Sequence, residues 1–227
     1  MMWRATIICL TAAVILMASS QGFTSEPADA DEAICNVPAD TALGLEDYQT
    51  AIRLHQHWLL SHPKDALAHY HLGFAYGMVG RGSEEIGEYQ KAVFLGFHEW
   101  DLFLNLGLAY AEHGNLSNAA TALKNAVLLE PGRAEPHFNL ALVYEAEHRL
   151  GDALNEITIS RRLRPEDQDI ENTGAILCAE TGDLGRARHL WTHLAQTGYS
   201  PAQANLAILN RITDTRSVVP QLIGSRW

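Results

Sequence analysis

The chain has 227 residues, 47% of them apolar, and carries 27 acidic against 16 basic side chains, for a formal charge of -11. A surface of that sign repels phosphate backbones and anionic lipid headgroups, so nucleic acid is excluded as an expected partner. The apolar content suits one ordinary core or one extended array of small units.

In chain order, residues 1–20 stand apart. Arg4 gives a positive start, Ala5 to Ala18 is an unbroken run of apolar or small residues, and Ala18-Ser19-Ser20 supplies a cleavage point. This is the pattern of a secretory signal peptide. Left uncleaved it is a short membrane anchor, although its run of 14 residues falls below the ~20 that cross a bilayer. The expected location is periplasmic or secreted, with inner-membrane anchoring if the leader persists. Cys9 is flanked by Ile7, Ile8 and Leu10, without the small residue that precedes a lipidated cysteine. Once the leader is removed, Cys35 and Cys178 are the remaining cysteines, too few for a disulfide framework.

Residues 21–44, built of Ser, Asp, Glu, Ala and Pro with little periodicity, are expected to be an acidic flexible linker. Residues 45–63 place Tyr48, Ala51, Ile52, Trp58 and Leu59 at helical spacing and end at Pro63, which predicts an N-terminal capping helix. A period of thirty-four residues then begins, with blocks at 66–99, 100–133, 134–167 and 168–201 aligned without a gap. The eighth residue of each is Gly73, Gly107, Ala141 and Ala175, and the eleventh is Tyr76, Tyr110, Tyr144 and Cys178. The twentieth is Glu85, Ala119, Ala153 and Ala187, and the twenty-fourth is Tyr89, Leu123, Ile157 and Trp191. Small residues thus fall where two helices touch and large ones fill the space beside them. A further capping helix is expected over 202–214. The tail over 215–227, with Val218, Leu222, Ile223 and Trp227, is a competing occupant for any groove the array forms.

The spacing resembles the tetratricopeptide repeat, and is fullest in the second block at Phe103, Leu106, Gly107, Tyr110, Ala119, Leu123, Ala126 and Pro131. Departures are local: Glu85 replaces a small alanine, Phe97 a closing proline, and Gly174 and Cys178 a leucine and a tyrosine. The resemblance implies an all-α fold, a tetratricopeptide-repeat α-solenoid in which helix hairpins stack into a right-handed superhelix. It also implies a concave surface lined by the first helix of each unit. On that surface fall Tyr70, His71 and Phe74, then Leu104, Asn105, Leu108 and Glu112, then Phe138, Asn139, Leu142 and Glu145. Asn105 and Asn139, one repeat apart, are similar to the asparagine ladder with which some members hold a peptide backbone, an amide being both donor and acceptor. The lysines and arginines of a carboxylate clamp are absent from these positions.

The expected function is accordingly a non-catalytic protein-protein interaction scaffold of the bacterial cell envelope. Its expected partner is an extended peptide or protein, apolar with basic flanks. No haem attachment motif, phosphate-cradling glycine loop, nucleophile elbow or HExxH occurs, so no cofactor, metal or enzymatic activity is expected. Eleven histidines leave one alternative, an accessory metal- or redox-partner-binding domain using surface histidines such as His189 and His193 with Cys178. Tyr110 is expected in the core beside Gly107, and His69 and His137 are expected to pack as ring-shaped core residues. His55 and His57, two apart on different faces of a helix, cannot chelate together.

Overall fold

The computed structural model describes residues 35–211, and those residues contain helices and no strand. The helices are α1 (Val37–Gly44), α2 (Tyr48–Ser61), α3 (Ala66–Met78), α4 (Gly82–Phe94), α5 (Trp100–Glu112), α6 (Leu116–Leu129), α7 (Ala134–Ala146), α8 (Leu150–Leu163), α9 (Gln168–Glu180) and α10 (Leu184–Gln196). An eleventh, α11, runs over 200–211. From α1 to α10 each helix packs on the next, and α1 also touches α3, α3 touches α5 and α5 touches α7. The molecule is an α-solenoid of helix hairpins, each completing its core with its neighbour. The expected leader and the tail lie outside the described residues.

Local chemistry starts and stops the helices. Asn36, Asp47, Asp65, Asn115, Asp167 and Asp183 each accept a backbone N–H of the first turn that they cap. At the bend inside each unit the sixteenth residue donates its N–H to the carbonyl of the eleventh: Arg81 to Tyr76, Asn115 to Tyr110, Arg149 to Tyr144 and Asp183 to Cys178, at 2.8–2.9 Å. That bond requires the fifteenth residue in the left-handed region. Gly80, Gly114 and Gly182 meet the need, but the third unit uses His148, with φ 60°.

The small-against-large pattern has the expected physical cause. A Cβ on Gly73 would lie 2.7 Å from the Tyr89 ring, and one on Gly107 would lie 2.7 Å from Leu123 Cγ. The first unit's departure at Glu85 is answered by Gly77, where an added Cβ would come within 2.5 Å of Glu85 Oε1. Cys178 does not loosen the fourth unit, since it is 5% exposed within a buried run from Ile170 to Cys178. Tyr110 corrects its expectation: it is half-buried at the junction of the first two units, against Tyr89, Leu106 and Ala122, and its hydroxyl accepts from Gln90 Nε2 at 2.7 Å. Leu123, not Tyr110, sits over Gly107.

The expected linker over 21–44 is also corrected at its end, because residues 37–44 are α1, with Ala39 and Ala42 buried. Asn36 caps it, Pro38 stands in its first turn, and Asp40 Oδ2 reaches back to accept the N–H groups of Cys35 and Asn36, each at 3.1 Å. Eight residues hold too little periodicity to be noticed. Carrying the thirty-four-residue register back one step puts Ala39, Ala51, His55 and Pro63 at the eighth, twentieth, twenty-fourth and thirty-second positions. The array therefore begins with a shortened hairpin, α1–α2, ahead of the first full unit.

Candidate functional site

The concave surface, which the repeat resemblance assigns to the first helices of the four full units, falls to α3, α5, α7 and α9. In the first two units its floor is half-buried: Tyr70, Phe74, Leu104, Asn105 and Leu108 all keep some access to solvent, and Glu112 is exposed at the rim. Tyr70 anchors this part. Its ring stacks on Phe97 with centroids 5.1 Å apart, its hydroxyl donates to Asp101 Oδ2 at 2.8 Å, and Asn105 Nδ2 donates to the same hydroxyl at 3.3 Å. Burial, then the Asp101 carboxylate, pushes the Tyr70 phenol well above its ordinary range. Phe97 thus takes the place of a closing proline as a stacking partner. Phe74 meets Tyr48 edge-on at 6.4 Å.

The third unit differs. Phe138, Asn139 and Leu142 are buried, and Asn139 Nδ2 donates to the Glu135 carbonyl of its own helix at 2.9 Å. Asn172, one repeat on from Phe138, accepts from Trp191 Nε1 at 3.0 Å and from Asn205. The two amides of the expected ladder are therefore not equivalent: Asn105 stays accessible, whereas Asn139 is committed to local backbone. His71 is also withdrawn from the floor, because its Nδ1 lies 2.8 Å from Asp40 Oδ1.

Acidic groups sort into two sets. Asp101, Glu135 and Asp169, all second residues of their units, are bonded, Asp101 to Tyr70 of the preceding unit and the other two to Arg164 and Tyr199 at the ends of their own units. The other set consists of like-charged neighbours. Glu85 is pushed up to about 7 by burial and by Glu112, and Glu145 to about 7 by burial and by Glu180. Carboxylates held together in this way favour protonation or a cationic neighbour.

No family model matches the sequence, and no curated protein does. Solved structures do. The crystal structure of MamA has 20% identity and TM-score 0.69, covering 75% of this chain and 99% of that one. YrrB, described as a TPR protein with an unusual peptide-binding site, has 19% identity and TM-score 0.66 over 78% of this chain and 88% of its own. PilF of Pseudomonas aeruginosa has 20% identity and TM-score 0.66, covering 82% and 85%. This chain has the tetratricopeptide-repeat fold. At these identities the likeness establishes architecture alone.

Within that TPR array the histidines divide by position. His69 and His137, fourth residues of the first and third units, are buried, as expected of core residues, but each is also paired. Their Nδ1 atoms lie 2.5 and 2.6 Å from Glu88 and Glu156, and their Nε2 atoms face the carbonyls of Pro63 and Pro131. His193 meets Glu171 at 3.1 Å, and His189 is exposed. Cys178 is buried on α9, and burial raises its thiol pKa. It joins no ligand cluster with these histidines, so the accessory metal site built on Cys178 is not formed.

Among the described residues, one group of potential metal ligands converges: Cys35, Asp40, His55 and His71, whose ligand atoms all lie within 4.8 Å of one another. Cys35 and Cys178 are both free thiols. Burial, reinforced by Asp40, pushes the Cys35 thiol well above its ordinary range. Burial and then His71 push His55 down to about 4, against the pull of Asp40, so its imidazole is neutral. The four residues stand on α1 and just before it, on α2 and on α3. No spacing motif announces them, because stacking the hairpin on the first unit brings them together.

Proposed function

We propose that the protein is a non-catalytic interaction scaffold that takes an extended peptide or partner segment along the first two units of its concave surface. The observation that carries this reading is a half-buried apolar floor, Phe74, Leu104 and Leu108, with an accessible amide at Asn105 and an exposed carboxylate at Glu112 beside Glu85. The apolar side chains offer area for burial and the amide can pair with peptide backbone. A lysine or arginine on the partner relieves the repulsion between the two glutamates. The repeat-fold neighbours support a protein or peptide ligand, YrrB being described by its own peptide-binding site. The sequence of residues 1–20 supports export to the periplasm, where such a scaffold would serve an envelope assembly.

The test uses labelled peptides with one apolar centre and either lysine or glutamate flanks. Lysine-flanked peptides should bind more tightly, and the preference should shrink as salt rises. Asn105→Ala should weaken binding by about 1 kcal/mol, one ordinary hydrogen bond, without changing the melting curve. Glu112→Lys should lower the association rate for the lysine-flanked probe. Equal affinity for both flanks, undiminished in both variants, would remove the groove from consideration.

A further inference from the structure

We infer that Cys35, Asp40, His55 and His71 form a zinc site that clips the N-terminal hairpin to the first full unit of the array. His55 carries the argument. Its position in the repeat is the twenty-fourth, where the other units bury Tyr89, Leu123, Ile157 and Trp191. His55 is 0% exposed, and its Nε2 has no hydrogen-bond partner. A core position has been given to a polar ring whose nitrogen is aimed at a carboxylate 3.6 Å away, too far for a hydrogen bond.

The remaining ligands complete a set suited to one divalent cation. Cys35 Sγ lies 3.4 Å from His71 Nδ1 and 3.4 Å from Asp40 Oδ1, and His71 Nδ1 lies 2.8 Å from that same oxygen. Metal-ligand bonds of about 2.0–2.3 Å in a tetrahedron put neighbouring ligand atoms about 3.3–3.6 Å apart. Three of the distances between prospective ligand atoms, 3.4, 3.4 and 3.6 Å, already lie at or near that spacing. The 2.8 Å contact lengthens when a cation replaces the shared proton. Asp40 Oδ2 stays bonded to the N–H groups of Cys35 and Asn36, which orients Oδ1 toward the other ligands, as outer-sphere donors do in metal sites.

Charge selects the ion. One thiolate, one carboxylate and two neutral imidazoles sum to -2, so a divalent cation leaves the half-buried site neutral, whereas copper(I) would leave it negative. One sulfur, two nitrogens and one oxygen are a zinc ligand set, and four protein ligands close the coordination as in structural sites. Binding expels the Cys35 thiol proton to solvent, while His71 coordinates through Nδ1 with its proton on Nε2, so one proton is released per ion. The role follows from size. The eight-residue α1 has only two buried residues, Ala39 and Ala42, and small elements with little core of their own commonly use metal staples.

Titration of the purified full chain with cobalt(II) as an optical probe tests the site. The expected result is one cobalt per chain, with the visible bands of tetrahedral cobalt and a thiolate-to-cobalt charge-transfer band that zinc abolishes. Cys35→Ser should remove the charge-transfer band. His55→Gln and His71→Gln should each weaken cobalt binding by at least about 100-fold, the upper end of what outer-sphere changes cost. His189→Gln with His193→Gln should leave it unchanged. Zinc should raise the melting temperature of the native chain and not that of Cys35→Ser. Circular dichroism shows whether each variant stays helical, and a helical His55→Gln that binds cobalt as well as the native chain would overturn the site. So would a native chain with no thiolate band, or a melting temperature indifferent to zinc.

Discussion

Replacing Glu145 by glutamine should stabilise the protein at alkaline pH, the reverse of what is usual for removing a charge from a surface. Glu145 is held at about 7 against an ordinary 4.5, because burial disfavours its charged form and Glu180 repels it. A carboxylate raised on folding binds more protons in the native than in the unfolded chain between those two values. Stability therefore falls as pH rises through the window from about 4.5 to about 7, and the full penalty is present above it. At about 1.4 kcal/mol for each pH unit the ceiling is on the order of 3 kcal/mol. Glu145 keeps some contact with water, so screening reduces this to about 1–2 kcal/mol. Urea unfolding of both proteins at pH 5 and pH 8 gives the number. The variant should match the native chain at pH 5 and exceed it by about 1–2 kcal/mol at pH 8. Glu180→Gln should recover part of the same gain by removing the second cause. A Glu145→Gln chain that is no more stable at pH 8, or whose pH slope equals that of the native chain, would refute the reasoning.

Three further predictions concern glycine. Gly107→Ala should cost about 1–3 kcal/mol, because its new Cβ would meet Leu123 at 2.7 Å. Gly87→Ala in α4, where nothing lies within 4 Å, should gain about 0.5–1 kcal/mol from helix propensity, and thermal melts of the pair check the opposite signs. His148→Gly should stabilise by about 0.5–1 kcal/mol, since glycine occupies the left-handed region without strain. Denaturant midpoints measure it, and a loss of stability would show that the ring makes a contact outweighing its backbone cost.

The array was legible because its signal is stereochemical and repeated. A glycine that admits a neighbouring ring, as Gly73 admits Tyr89, must recur wherever two helices approach equally closely, and the thirty-four-residue period exposes that recurrence. Side-chain commitment was not legible. Asn105 and Asn139 occupy one register, yet one bonds a tyrosine hydroxyl and the other its own helix, because the unit before Asn105 offers Tyr70 and the unit before Asn139 has Leu104 at that register. The histidine cluster escaped for a related reason. Its ligands lie 5, 20 and 36 residues from Cys35 and share no helix face, so only packing relates them. The α1 signal was present in Asn36 and Pro38 but belonged to a helix shorter than three turns.

The fit of Glu85 against Gly77 bears on how such an array can change over generations. The other units carry Ala111, Glu145 and Ala179 at the register of Gly77, against Ala119, Ala153 and Ala187, so the glycine–glutamate pair is peculiar to the first hairpin. Exchanging α4 with another second helix would break the match: α4 set against α5 would drive the Glu85 carboxylate into the methyl of Ala111, and α6 set against α3 would leave a gap beside Gly77. The first hairpin can therefore be duplicated or recombined whole, but not by halves. A duplication of the first unit would also have to carry glycine and glutamate together, because either one inherited alone is a defect.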